Sequence, residues 1–276
     1  MTTPNATVRA LAPPPFLKLL LKLPWELRKN IYYRAMRPED LISQCQPLNL
    51  SAADFRHSGN PLCLEWLEEF CRTDEATRID VSSILLQTTR LCLFSPVEVE
   101  RFSLFLESFP EADNQGFAAV RDLNFQLFGC HRPSAGNDNV YIEFMKRCTE
   151  LRQVQLKFEV EYMTIDSCTW AENLKQPPTT LWSFDQTRIR RLEDIISMYR
   201  LTELLKLEKL NRLTVEAWPR IRVSDRQAMQ DVLVDCTPLI ESLVQWLERG
   251  FAAQDKTVAV SYVEASSPGL RWSRRM

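Results

Sequence analysis

Three segments of the chain repeat one apolar phase. Val120, Leu123, Phe125 and Leu127 form the first, Leu151, Val154, Leu156 and Phe158 the second, and Leu210, Leu213, Val215 and Ala217 the third. In each, a residue entering a turn is followed by strict alternation of apolar and polar positions, the signature of a strand with one buried face. Leu123 and Val154 are 31 residues apart, and Val154 and Leu213 are 59 apart, close to twice that interval. Helical patterns precede two of the strands, over about 140–147 (Tyr141, Phe144, Met145) and about 186–206 (Ile189, Leu192, Ile196, Tyr199). The order helix, short turn, strand, repeated, predicts an α/β (α+β) fold whose body is a degenerate leucine-rich-repeat-like array of helices and strands. The three strands should lie side by side in one sheet, with helices on one face. A middle copy expected near residue 183 is replaced by the loop Gln176-Pro-Pro-Thr-Thr-Leu-Trp.

Elsewhere the chain divides by pattern. Residues 1–15 end in Pro13-Pro14-Pro15 and are expected to be a disordered tail. Residues 16–60 form an N-terminal helical segment. Within it Pro24 suits a first helical turn, Glu26 complements the helix dipole, and Leu27, Ile31 and Ala35 share a face. Residues 38–61 lack a clear pattern. The α/β body is expected over 61–265, with a basic flexible tail at 266–276. Leu62, Trp66 and Phe70 suggest a helix at about 62–72, followed by an apolar segment from Ile79 to Leu86. Arg90 to Phe94 is a short strand candidate, and Ser95-Pro96 is an N-cap and first-turn pair. Ser224-Asp-Arg-Gln227 has the form of a capping box, predicting a helix to about 250 that Pro238 kinks and Gly250 stops. Lys256 to Val263 is expected to be a last strand.

Composition narrows the chemistry. The formal charge is −2, too balanced for a chain whose task is to coat nucleic acid. Only six Gly are present, and no phosphate-cradling loop, G-x-S-x-G or H-E-x-x-H pattern occurs. The eight Cys, at 45, 63, 71, 92, 130, 148, 168 and 236, include no C-x-x-C pair, so no metal site is expected. General acid–base and nucleophilic catalysis draw heavily on His, and the chain has two, His57 and His131, both in loop-like surroundings. No catalytic residues and no cofactor are assigned. Glu159 and Glu161 share one strand face, best explained as solvated. A hydrolase built on dispersed carboxylates, or a nucleic-acid binder using Arg188, Arg190 and Arg191 on a helix, are the alternatives from other classes. Glu193, Asp194 and Glu203 offset that Arg cluster. No stretch approaches the ~18–20 apolar residues of a membrane span. The N-terminal stretch lacks the layout of a secretory signal. The expected compartment is therefore reducing, cytoplasm or nucleus, and no membrane contact is expected.

The segment Leu23-Pro-Trp-Glu-Leu-Arg-Lys-Asn-Ile-Tyr-Tyr-Arg-Ala-Met36 resembles the L-P-x-E-L-R-x-x-I-Y-x-x-A opening of fungal F-box-like proteins. Ile84-Leu-Leu-Gln-Thr-Thr-Arg90 is similar to that group's L-L-x-T-C-R-Q segment, with Thr89 where Cys is common. The resemblance implies a protein-interaction module: a helical surface docking on the adaptor subunit of a cullin-based ubiquitin ligase, with the body holding a protein substrate. The residues it implicates in partner binding are Leu23, Pro24, Trp25, Leu27 and Ile31. The alternative is an F-box-like scaffold without a ligase role, its helix packed on its own body. The expectation is a mixed case, with Pro24 and Trp25 at the surface and Leu27 and Ile31 mostly covered.

Overall fold

The computed structural model describes residues 19–36, 48–50, 75–109, 115–130, 138–159, 163–165, 188–218, 220–225 and 230–265. The readings made for residues 1–15, 62–72, 176–182 and 266–276, and those for His57, His131 and Glu161, lie outside these residues.

Its centre is a six-stranded sheet. In chain order the strands are β1 (Leu48–Leu50), β2 (Arg90–Leu93), β3 (Asp122–Phe125), β4 (Gln153–Phe158), β7 (Arg212–Ala217) and β10 (Ala259–Glu264). They lie side by side in that same order, every neighbouring pair parallel. The repeated phase sets the register. Leu123 pairs with Val154 and Val154 with Leu213, and Phe125, Leu156 and Val215 form the next row. No strand comes between β4 and β7. The chain between them contributes a separate two-stranded pair, β5 (Thr164–Ile165) with β6 (Arg188–Ile189).

The strands' apolar rows are buried, and residues from all of the helices pack into one core with them. The helices are α1 (Trp25–Met36), α2 (Glu75–Thr88), α3 (Pro96–Glu107), α4 (Gln115–Ala119), α5 (Val140–Arg147), α6 (Leu192–Tyr199) and α7 (Thr237–Ala252). Local sequence explains their starts. Ser95 caps α3 in a capping box: its Oγ accepts from the Glu98 N–H at 3.3 Å, and the Glu98 carboxylate accepts from the Ser95 N–H at 3.0 Å. Asn139 caps α5 and also donates its amide to the Tyr199 carbonyl at 3.0 Å, tying α5 to the end of α6. Aromatic rings join the layers: Phe125 meets Tyr141 edge-on at 5.1 Å between centroids, and Phe128 meets Phe158 at 5.3 Å.

Four expectations need correction. The helix placed over 186–206 is three elements. Arg188–Ile189 is strand, with Ile189 42% exposed; α6 begins at Leu192; and a 3₁₀ helix spans Leu201–Lys206. The helix placed from Ser224 is a β-hairpin, β8 (Arg220–Asp225) with β9 (Gln230–Asp235). Alternating β-branched residues, Ile221 and Val223 then Val232 and Val234, outweigh the capping-box match. Helix α7 starts only at Thr237, with Pro238 in its first turn, where a missing N–H costs nothing. Gly250 does not stop α7, which runs to Ala252; a Cβ there would meet Leu205 Cδ1 at 2.7 Å, so the glycine permits close approach. The patternless stretch 38–61 also holds β1, a strand of three residues.

Candidate functional site

Leu, Glu, Arg, Lys, Ala and Met are good helix formers, and α1 is built largely from them. The Pro24 carbonyl accepts the first helical bonds, from Leu27 at 3.1 Å and Arg28 at 3.1 Å. A turn precedes it, closed by Lys22 N–H to Leu19 and Leu23 N–H to Leu20.

One face of α1 meets α2. Trp25, Arg28, Lys29 and Tyr32 recur at the i, i+3, i+4, i+7 spacing of one side. Tyr32 is buried and Trp25 is half-buried against the core. Arg28 Nε lies 3.2 Å from Asp80 Oδ2, and its guanidinium carbon sits 5.7 Å from the centre of the Trp25 ring. Lys29 Nζ donates to Gln87 Oε1 at 3.4 Å. The opposite side carries Leu27 and Ile31, exposed by 50 and 39%, and the segment leading into the helix adds Leu19 and Leu23, exposed by 63 and 36%. The helix thus seats itself through aromatic rings and two partnered cations, and leaves Leu27 and Ile31 in water beside Glu26, Asn30 and Arg34, where a surface helix is ordinarily polar. This corrects the expected mixed case: Pro24 is exposed, but Trp25 is half-buried, and Leu27 and Ile31 are exposed rather than covered. The residues that seat the helix were not singled out in the sequence. The spacing of Trp25, Arg28, Lys29 and Tyr32 is the one signal that marks them.

A second surface is the sheet face turned away from the helices. Register places Cys92, Asn124, Gln155, Thr214 and Ser261 in one polar row, and Arg90, Asp122, Gln153, Arg212 and Ala259 in another. Charges pair across strands. Arg90 Nε bonds both Asp122 carboxylate oxygens at 3.1 Å, and Lys157 Nζ lies 3.3 Å from Glu216 Oε1 and 5.2 Å from the centre of the Trp218 ring. Gln155 donates to Glu216. Accessibility rises along the polar row: Cys92 and Asn124 are buried, Gln155 and Thr214 half-buried, Ser261 exposed. Burial pushes the Asp122 carboxyl above its ordinary value, against the pull of Arg90 and, further off, Arg212. Burial also pushes the Cys92 thiol up to about 11.

The Arg trio does not share a helix. Arg188 lies in β6 and Arg191 at the N-cap of α6, where its N–H donates to Asp194. Among the described residues no group of three or more His, Cys, Asp or Glu is placed to hold a metal ion, and no helix is long and apolar enough to cross a membrane. Comparison with protein-family models, curated proteins and solved structures gives no match.

Proposed function

We propose that this chain acts by binding rather than by catalysis, as an F-box-type interaction module in the cytoplasm or nucleus. In this reading α1 docks on the adaptor subunit of a cullin-based ubiquitin ligase through Leu23, Pro24, Leu27 and Ile31. The body is a degenerate leucine-rich-repeat-like array that offers the accessible end of its sheet face, from β4 to β10, to a protein substrate. The observation that carries the reading is the exposed aliphatic group at α1: Arg28 and Lys29 are spent on α2 while Leu27 and Ile31, with Leu23 in the turn before them, are exposed to solvent. A helix laid apolar side first into a partner's groove is a recurrent recognition mode. The sequential all-parallel sheet supports the repeat-array reading, because each unit stacks only on its neighbours.

One observation favours a second reading, a scaffold without a ligase role. Trp25, a docking candidate by resemblance, is partly spent on the chain's own core. The test is titration of the full chain with purified cullin adaptor by calorimetry. Saturable binding that Leu27→Asp with Ile31→Asp removes is the expected result. No binding by the unaltered chain at 100-fold the protein concentration overturns the ligase reading and leaves the scaffold.

A further inference from the structure

Two anchors, Leu20 before the helix and Tyr32 near its end, are buried beneath α1. Between them the seat is mixed, with charged groups among Trp25 and Ile79. A cleft of about 410 Å³ opens there, lined among others by Trp25, Arg28, Asp80, Gln87, Arg121 and Glu150. Arg28 crosses it to Asp80, and its Nη1 also reaches back to the Leu21 carbonyl at 3.2 Å, bracing the turn that leads into the helix. Both partners of the ion pair are mostly covered, with 20% and 16% of their side chains exposed. At 12 residues α1 is at the length where a helix in water is marginal without tertiary support.

We infer that α1 is a latched arm: the Arg28–Asp80 pair, bridging the cleft between the two anchors, holds the helix formed and its aliphatic stripe outward. The arm opens separately from the sheet, and the docking face exists only while the latch is made. A local opening of this kind is expected where few apolar groups are buried and the contacts are polar. The use of the latch in docking rests on the function proposed above; the latch itself does not.

Hydrogen–deuterium exchange on the full chain tests it. With Asp80→Asn, amides of residues 28–36 exchange about tenfold faster, the loss expected when a mostly covered ion pair keeps its shape but loses one charge. Those of β3, β4 and β7 are unchanged. The charge-exchanged pair Arg28→Asp with Asp80→Arg recovers most of the protection. Salt at 1 M, which shortens the screening length to about 3 Å, speeds exchange in the unaltered chain but not in Asp80→Asn. Unchanged exchange in Asp80→Asn overturns the latch, as does acceleration of α1 and the sheet together, or failure of the exchanged pair to restore protection. A binding arm separates the two proposals. Adaptor affinity falls with Asp80→Asn and returns with the exchanged pair if both hold. If the unaltered chain binds no adaptor, the docking reading fails and exchange alone decides the latch.

Discussion

Replacing both Leu27 and Ile31 by Asp separates a docking stripe from a core face, because the two roles predict opposite costs. The exposed fractions of Leu19, Leu23, Leu27 and Ile31 together amount to roughly two whole aliphatic side chains. Covering that much apolar surface is worth about 3 to 6 kcal/mol, since a fully buried Leu or Ile is worth about 1.5 to 3. Leu27 and Ile31 hold about half of it, and two carboxylates placed in a dehydrated interface add about 2 kcal/mol or more each. Adaptor affinity should therefore fall by at least about 5.5 kcal/mol, on the order of ten-thousandfold. The fold should barely respond. Surface substitutions away from buried groups usually stay within about 0.5 kcal/mol, and in a chain of this size 1 kcal/mol moves the melting temperature by about 2 to 4 °C. Differential scanning calorimetry and adaptor titration on one double variant give both numbers. A fall of more than about 10 °C would show that the stripe is buried in solution. Affinity unchanged within threefold would show that the stripe is not where the adaptor binds. Either result refutes the reasoning.

Four further outcomes follow from the body. Tyr199 is fully buried and donates its hydroxyl to the Gly129 carbonyl, so Tyr199→Phe should cost about 1 to 2 kcal/mol in urea unfolding; an unchanged midpoint would refute this. Gly129→Ala puts a Cβ 2.8 Å from Phe158 Cα and 3.1 Å from Glu159 N, main-chain atoms that cannot swing aside, and should cost about 1 to 3 kcal/mol by thermal melting; full stability in the variant contradicts it. With its pKa near 11, Cys92 presents about one thiolate in a thousand at pH 8, so mass spectrometry should find it unalkylated in folded protein and alkylated after denaturation. Asp122 has a raised carboxyl, so the folded state takes up a proton before the unfolded chain does. As pH falls through the raised value towards the ordinary one, this group adds stability, and at higher pH its ionised form subtracts. Urea unfolding from pH 7 to 3 should show the unaltered chain gaining on Asp122→Asn as pH drops; a flat or falling difference counts against the assignment.

The strand register was legible because a period of two admits only two answers. Leu123, Phe125, Val154, Leu156, Leu213 and Val215 had to share a face, and a slip of one residue would have buried Asn124, Gln155 and Thr214 among the rings instead. The start of α3 was legible for a local reason as well: Ser95, Pro96 and Glu98 satisfy one another within a single turn. The segments misread were those where two local signals competed. Ser224 to Gln227 matches a capping box, but β-branched residues on both sides pair with each other as β8 and β9. Three-residue β1 carried too little pattern to be seen, and its pairing with β2 depends on residues more than 40 positions away.

For the candidate site, the sequence by itself determined that a helix opens at about Pro24 and that Leu27, Ile31 and Ala35 share one face of it. Which side meets the body was decided only by tertiary structure. Helical periodicity specifies an angle between side chains but no direction in space. The direction is set by Asp80 and Gln87 on α2, more than 50 residues along the chain, which take Arg28 and Lys29 and turn the aliphatic side outward. The usual preference for burying the aliphatic side points the other way, and here the buried Tyr32 and the half-buried Trp25 supply the apolar part of the seat on the polar side itself.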